Sequence, residues 1–255
     1  MQIIIPKIKF ELMSLEEISG ILEWSIIIDE GILPTSEYVL KLYPELNNIK
    51  NWKDFSAKER TDNIRKLIEK SYINDSDEYK NILRNYEIIW KKYNNDFMKN
   101  LSKVLNINWS KELQEITIKV GKIPIYPREL EKYCFYIGKM NKQDFIETVM
   151  HECCHFLYFE KWKELFKNWK IEEFESPYMI WYLSEIAIDP ILNNLKIQEI
   201  YKHNFKAYKN FYDIDIQGKN LMETIKTIYN ENTIENAIIK SYEYILKNKK
   251  SITKS

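Results

Sequence analysis

The chain has 255 residues with 38 basic and 38 acidic side chains, so its formal net charge is zero. Because the two signs are interspersed, the composition argues against a nucleic-acid groove and against an anionic membrane as partner. Only five glycines and seven prolines interrupt a sequence that is 45% hydrophobic. This composition predicts a mostly helical globular protein, in which no apolar run approaches the length that spans a bilayer.

The first 105 residues carry amphipathic patterns that predict helices over residues 15–28, 36–42, 57–72 and 77–105. Ser14, followed three residues later by Glu17, forms a capping-box pattern at the start of the first helix. We interpret residues 1–105 as a helical N-terminal region and residues 106–250 as a second region with helices at its C-terminal end. The alternative of one compact unit stays open.

Two β-prone segments follow. Residues 115–120 alternate polar and apolar side chains, and residues 133–137 are aromatic and apolar. We expect them to form a small antiparallel sheet packed on the next helix, which gives an α+β fold dominated by helix. Cys134 could supply a thiolate ligand to a metal, but we interpret it as a strand residue.

The run from His151 to His155 is an HExxH pentapeptide. On a helix, residues four apart share a face, so both imidazoles can reach one metal ion with Glu152 beside them. With only three histidines in the chain, composition alone would produce this pattern in about one chain in 400. Coincidence is therefore a poor explanation.

The surroundings of the pentapeptide are helical. Asn141 can cap the helix, and Asp144 lies in its first turn, where the helix dipole favours an anion. An apolar stripe recurs at helical spacing through Phe145, Val149, Cys153, Phe156 and Phe159. Cys153 and Cys154 point away from the histidine face, so packing explains them better than metal binding. The alternative is a buried helix whose histidines only form hydrogen bonds.

A catalytic zinc site needs three protein ligands and an open position. Ser176 and Pro177 indicate the start of a second helix, in which Glu185 and Asp189 are the only acidic residues of an apolar stretch from 177 to 192. The two carboxylates lie one turn apart on one face. Glu172, Glu173 and Glu175 are rival ligands in a charged run that is more typical of a solvent-facing loop.

The HExxH helix followed by a helix with ExxxD resembles the gluzincin, or thermolysin-like, branch of the zincin metallopeptidases. The resemblance covers only these two helices and the segment between them. It implies a zincin-like fold, a Zn²⁺ ion held by His151, His155 and Glu185, and Asp189 as hydrogen-bond partner of a ligand histidine. It also implies that Glu152 is the general base in the hydrolysis of peptide bonds by metal-activated water.

Such an enzyme also needs a hydrogen-bond donor for the developing oxyanion. Members of the group use a His or a Tyr, and His203 is the remaining histidine of this chain. Several tyrosines compete with it for this role, namely Tyr178, Tyr182, Tyr201, Tyr208 and Tyr212.

The resemblance further implies that residues 133–137 form an edge strand, to which an extended peptide or protein substrate adds by main-chain hydrogen bonds. The opening residues 1–7 are too short and interrupted for a signal peptide, so we expect a cytoplasmic location. A helical binding protein that keeps the scaffold without hydrolysis is the alternative function. The sequence does not identify the substrate or the oligomeric state.

Overall fold

The structure is a computed structural model that describes residues 4–27, 35–49 and 51–253. The predicted end of the first helix at residue 28 and the first three residues of the opening segment lie outside these ranges. The chain divides into two compact units. We call Lys7–Lys92 with Glu115–Phe145 the sheet unit, and Met1–Pro6 with Tyr93–Gln114 and Ile146–Ser255 the helical unit.

Helices dominate both units and confirm the predicted mostly-α, α+β fold. In the sheet unit the elements are β1 (Lys7–Leu12), α1 (Leu15–Ile27), α2 (Thr35–Leu42), α3 (Ala57–Trp90), β2 (Glu115–Val120), β3 (Arg128–Glu129) and β4 (Cys134–Ile137). In the helical unit they are α4 (Asn94–Val104), most of α5 (Lys142–Leu165), α6 (Met179–Leu192), α7 (Leu195–Gln198), α8 (Lys209–Tyr212), β5 (Asp215–Ile216), β6 (Lys219–Asn220), α9 (Leu221–Glu231), α10 (Ile234–Lys247) and α11 (Lys249–Ile252).

The main sheet has the strand order β1-β2-β4-β3. The two predicted strands are present as β2 and β4, but they pair in parallel, and only the two-residue β3 runs antiparallel to β4. The predicted antiparallel sheet is therefore wrong, and the sheet is mixed. Residues 121–133 cross over between β2 and β4, so both strands run in the same direction. A further parallel strand, β1, was not predicted although Lys7–Leu12 alternates polar and apolar residues.

β4 does not lie at the edge of the sheet, which corrects the expectation of an edge strand there. It lies between β2 and β3, and the Tyr136 N–H donates to the Pro127 carbonyl at 2.9 Å. Because β3 already pairs with its outer side, a peptide cannot add to β4 without displacing β3.

The core of the sheet unit forms where its helices meet the sheet. Its fully buried members include Leu22, Val39, Leu46, Ile64 and Ile68. α1 begins at the predicted capping box, in which Ser14 N–H donates to Glu17 at 2.8 Å and Glu17 N–H to the Ser14 hydroxyl at 3.2 Å. The first helix was thus predicted correctly at its start.

α3 is one helix of 34 residues where two were predicted. It continues through the polar residues 74–76, where Lys122 Nζ donates to the Asp75 carboxylate at 3.0 Å and, one turn earlier, to the Ser71 hydroxyl at 3.1 Å. The tertiary contact satisfies side chains that would otherwise favour a turn. Local sequence could not show this contact.

α5 and α6 are the most buried helices of the helical unit. α6 is apolar on nearly all sides, which is typical of a helix inside a core, whereas α5 combines a buried apolar middle with charged residues towards both ends. α6 begins at Met179, two residues after the predicted start at Pro177, with Tyr178 in an extended conformation at its N-cap. α6 packs against α9 and α10, so its acidic residues face protein rather than water.

Candidate metal centre

The two histidines of the pentapeptide lie on one face of α5, as the spacing predicts. Their Nε2 atoms are 2.9 Å apart, and the ring centroids are 4.6 Å apart. One turn of helix separates the two residues, so the helix itself sets this distance. The histidine pair is therefore a property of local structure.

Glu185 reaches this pair from α6. Its Oε2 lies 3.2 Å from His151 Nε2, and its Oε1 lies 3.3 Å from His155 Nε2. The three side chains are a group of possible metal ligands whose ligand atoms all lie within 4.8 Å of one another. We call His151, His155 and Glu185 the His–His–Glu cluster.

The cluster has dimensions that fit a metal ion. Three ligand atoms that lie about 2.0–2.1 Å from one tetrahedral zinc are about 3.3 Å from each other. Each oxygen of the Glu185 carboxylate lies close to one imidazole, Oε2 at 3.2 Å from His151 Nε2 and Oε1 at 3.3 Å from His155 Nε2, and the two Nε2 atoms are 2.9 Å apart. Two imidazoles and one carboxylate are also a donor set that zinc accepts.

The surroundings of Glu185 favour the ionised form of its carboxylate, which is the form that binds a metal ion. Its side chain is only 2% exposed. Burial alone would raise the pKa of Glu185, but the charges and hydrogen bonds of His155 and His151 outweigh burial and hold it well below its usual value. The carboxylate is therefore ionised next to the two rings.

Glu152, the predicted general base, lies beside the cluster. It is 7% exposed, and its Oε1 is 4.0 Å from His151 Nε2. The next two residues, Cys153 and Cys154, are fully buried. Burial raises the pKa of both thiols, Cys153 and Cys154, well above the usual value, which keeps them protonated. Neither belongs to the His–His–Glu cluster.

The remaining alternative ligands lie elsewhere. Cys134 is buried in β4 of the sheet unit, and burial raises the pKa of its thiol to about 11. Glu172 and Glu175 are exposed, and Glu173 accepts a hydrogen bond from the Lys170 N–H at 2.8 Å. Within the described residues, the group of possible metal ligands contains none of these four residues.

Asp189 lies one turn after Glu185, but it has other partners. Its carboxylate accepts hydrogen bonds from Tyr212 Oη and from Asn193 Nδ2 at 2.9 Å, and it forms an ion pair with Lys226 Nζ at 2.8 Å. Among the residues that the structure describes, none of its hydrogen bonds reaches a histidine. The structure thus places Asp189 where α6, α8 and α9 meet.

His203 contacts a residue that lies one helical turn from the cluster. Its Nδ1 is 3.0 Å from Oε1 of Glu147, which precedes His151 by four residues on α5. Phe205 lies edge-on to the ring, with the centroids 5.0 Å apart. The side chain of His203 is 25% exposed, so a substrate can approach it.

The competing tyrosines are distributed around the helical unit. Tyr178 and Tyr208 are exposed, and Tyr182 is buried. The Tyr212 hydroxyl donates to Asp189 and accepts a hydrogen bond from the Ala207 N–H at 3.0 Å. Tyr201 lies edge-on to Tyr93. The Tyr212 hydroxyl is thus engaged with a candidate site residue.

Sequence analysis missed three residues that contact predicted site residues, namely Glu147 at His203, and Asn193 and Lys226 at Asp189. Glu147 could have been found, because it precedes His151 by one helical turn and so lies on the same face. Lys226 could not, since its pairing with Asp189 depends on how α9 packs against α6.

A cavity of about 990 Å³ in the helical unit lies next to these residues. Its lining includes Asp189, His203, Lys202, Lys226 and Tyr229. Asp189 follows Glu185 by one turn, and His203 is bonded to a residue one turn before His151. His151, Glu152, His155 and Glu185 do not line the cavity, which approaches the cluster through Asp189 and His203.

Comparisons of the chain with protein-family models, with curated proteins and with solved structures found no match. The likeness to a metallopeptidase therefore depends on the motif residues and on the His–His–Glu cluster. Among the described residues, no helix combines the length and apolar character needed to cross a membrane.

Proposed function

We propose that the protein is a zinc-dependent peptide hydrolase of the zincin type, in which His151, His155 and Glu185 hold the ion. The observation that carries this proposal is the meeting of three side chains from two helices. The Nε2 atoms of His151 and His155 are 2.9 Å apart, and the two oxygens of the Glu185 carboxylate lie 3.2 and 3.3 Å from them. Three protein ligands leave a fourth position open, which distinguishes a catalytic zinc site from a structural one.

The reaction needs a base next to the ion, and Glu152 is the residue available. When bound, zinc supplies Lewis acidity, which lowers the pKa of a water molecule to about 7 and polarises a carbonyl. Glu152 accepts the proton of the attacking water on its carboxylate and later delivers it to the leaving amine. The position of its Oε1, 4.0 Å from His151 Nε2, supports this role.

His203 is the favoured donor to the substrate oxyanion. The contact between its Nδ1 and Glu147 fixes the ring and leaves the other ring nitrogen for a substrate. Its position in the wall of the cavity supports the assignment over the buried Tyr182. The exposed Tyr178 and Tyr208 are the alternatives that a His203→Ala variant would reveal.

The test begins with metal analysis of the purified protein. We expect about one zinc per chain, because the cluster provides one set of three ligands. Glu152→Gln should keep the metal and lose turnover, since it removes only the base. Glu160→Gln is the matched control on the same helix, where the native side chain pairs with Lys163 at 2.8 Å. It should keep both metal and activity.

Activity is measured on a mixed peptide library with and without a chelator. Cleavage that disappears with the chelator and returns with zinc supports the proposal. Bound zinc without cleavage of any peptide would favour a non-hydrolytic binding protein. Cleavage by Glu152→Gln at the native rate would remove Glu152 as base.

A further inference from the structure

We infer that the cavity next to the His–His–Glu cluster binds a carboxylate group of the peptide substrate. This inference rests on the proposed function and specifies the substrate class. The cavity, defined by Asp189, Lys202, His203, Lys226 and Tyr229, is large enough, at about 990 Å³, for more than one amino-acid residue.

The charges of the cavity wall favour an anion. Two ammonium groups, Lys202 and Lys226, line it, against one carboxylate, Asp189. Three donors already occupy the Asp189 carboxylate, namely Tyr212, Asn193 and Lys226. Asp189 therefore has little capacity left to attract a cation.

The two lysines retain donors for a ligand. Lys226 Nζ pairs with Asp189, but its side chain is 36% exposed, and an ammonium group has three N–H bonds to donate. Lys202 is exposed, and within the described residues no carboxylate pairs with it. The wall thus carries two ammonium groups and one carboxylate, and this excess of positive charge suits a carboxylate ligand.

The position of the cavity links this carboxylate to a peptide. Asp189, which lines the cavity, lies one turn after Glu185, a distance of about 5.4 Å along α6. An extended peptide rises about 3.3 Å per residue. A carboxylate in the cavity would therefore belong to a residue about two positions from the bond at the metal.

Two kinds of peptide provide such a group, one with a free C terminus and one with an acidic side chain. The probes are four fluorescein-labelled octapeptides of otherwise identical sequence. Two of them differ only in a free or amidated C terminus, and two amidated ones differ only in an internal Glu or Gln. Binding to zinc-loaded Glu152→Gln protein is measured by fluorescence anisotropy, which needs no turnover.

We expect one carboxylate peptide to bind about 10-fold more tightly than its neutral partner, the size of effect that charge-assisted hydrogen bonds give in a partly solvated site. Preference for the free C terminus indicates removal of terminal residues, and preference for internal Glu indicates cleavage near acidic residues. High salt should reduce the preference.

The decisive variant is Lys202→Gln, which removes one positive charge from the cavity wall. Within the described residues no carboxylate pairs with Lys202, so the variant leaves no carboxylate without its partner. It should reduce the preference for the carboxylate peptide by about 5-fold, as expected for one partly exposed ion pair, and Lys202→Arg should restore it. Lys209→Gln is the matched control, because Lys209 lies outside the cavity wall. It should change nothing.

Equal binding of all four peptides, or a preference that survives Lys202→Gln unchanged, would overturn the inference. Cleavage of the mixed library is measured separately. Chelator-sensitive cleavage without any carboxylate preference contradicts the proposed role of the cavity but leaves the proposed hydrolase function intact. Carboxylate preference without any cleavage supports the binding site and contradicts the hydrolase.

Discussion

Glu185 and Asp189 lie one turn apart on α6 and are both buried, yet they have different partners. Glu185 contacts two imidazoles, whereas Asp189 contacts a lysine, a tyrosine and an asparagine. A buried carboxylate needs charge or hydrogen-bond compensation. The first set of partners can also hold a metal ion, and the second set is already complete without one.

This difference predicts the effect of Glu185→Gln on zinc affinity. The substitution keeps the size of the side chain but replaces an anionic ligand by a neutral amide. We expect the zinc affinity to fall at least about 100-fold. Removal of a residue that only hydrogen-bonds to a metal ligand already lowers metal affinity by about 10- to 100-fold. Competition with a chromophoric chelator measures it. The matched control is Glu172→Gln, in the exposed run before α6, and a similar loss there would contradict the ligand assignment.

Lys161 and Glu235 form another ion pair, between residues that are far apart in the sequence. Lys161 is buried and Glu235 is partly buried. Lys161 is 1% exposed, its Nζ is 2.8 Å from Glu235 Oε1, and it donates to the Asn106 carbonyl at 3.2 Å. The hydrogen bond from Lys161 lowers the pKa of Glu235 from 4.5 to about 2 despite partial burial. The ionised form is thus favoured in the folded chain.

Because the folded pKa of Glu235 lies below its usual value, its contribution to stability is complete above pH 4.5 and is lost as the pH falls towards 2. Glu235→Gln should lower the free energy of unfolding by about 1–2 kcal/mol at pH 7, after allowance for solvent screening. Urea unfolding at pH 7 and pH 3 measures the difference, which should shrink at pH 3. An equal difference at both values would contradict the pairing.

At the scale of elements, the sequence predicted what local periodicity determines. α5 with its histidine pair, the α6 carboxylates, β2 and β4 are present as expected. The parallel pairing with β1, the continuity of α3 and the Asp189–Lys226 pair depend on contacts between distant segments. The pattern of apolar and polar residues within one segment does not predict which distant segment it contacts.

The contact between α6 and α9 predicts an effect of Lys226→Met. The variant leaves the Asp189 carboxylate buried without its cation. Removing one partner of a buried pair costs several kcal/mol, but Lys226 is partly exposed, so we expect a loss of about 1–2 kcal/mol in the free energy of unfolding. Denaturant unfolding tests this.

Lys219→Met is the control, because Lys219 is an exposed residue of β6 in the same unit. Adding Asp189→Asn to Lys226→Met should recover part of the loss, since no unpaired charge then remains. If the single Lys226 variant were as stable as the native chain, the packing of α9 against α6 would not depend on the ion pair between Lys226 and Asp189.

At the scale of the whole molecule, the cluster joins segments that are 30 residues apart in sequence, so the unfolded chain cannot present the same site. An ion that binds only the folded chain stabilises it by about 2.7 kcal/mol at 100 times its dissociation constant. For a chain of this size, that corresponds to a rise of about 5–10 °C in Tm. Calorimetry with and without zinc measures the rise, and the same rise in Glu185→Gln would mean that zinc binds elsewhere.

The two imidazoles of the cluster differ in their access to solvent. The His151 side chain is 26% exposed and the His155 side chain is fully buried. Diethyl pyrocarbonate should therefore acylate His151 and leave His155 unmodified, which peptide mass mapping would reveal. We therefore expect a metal ion to enter and leave the proposed site on the side of His151.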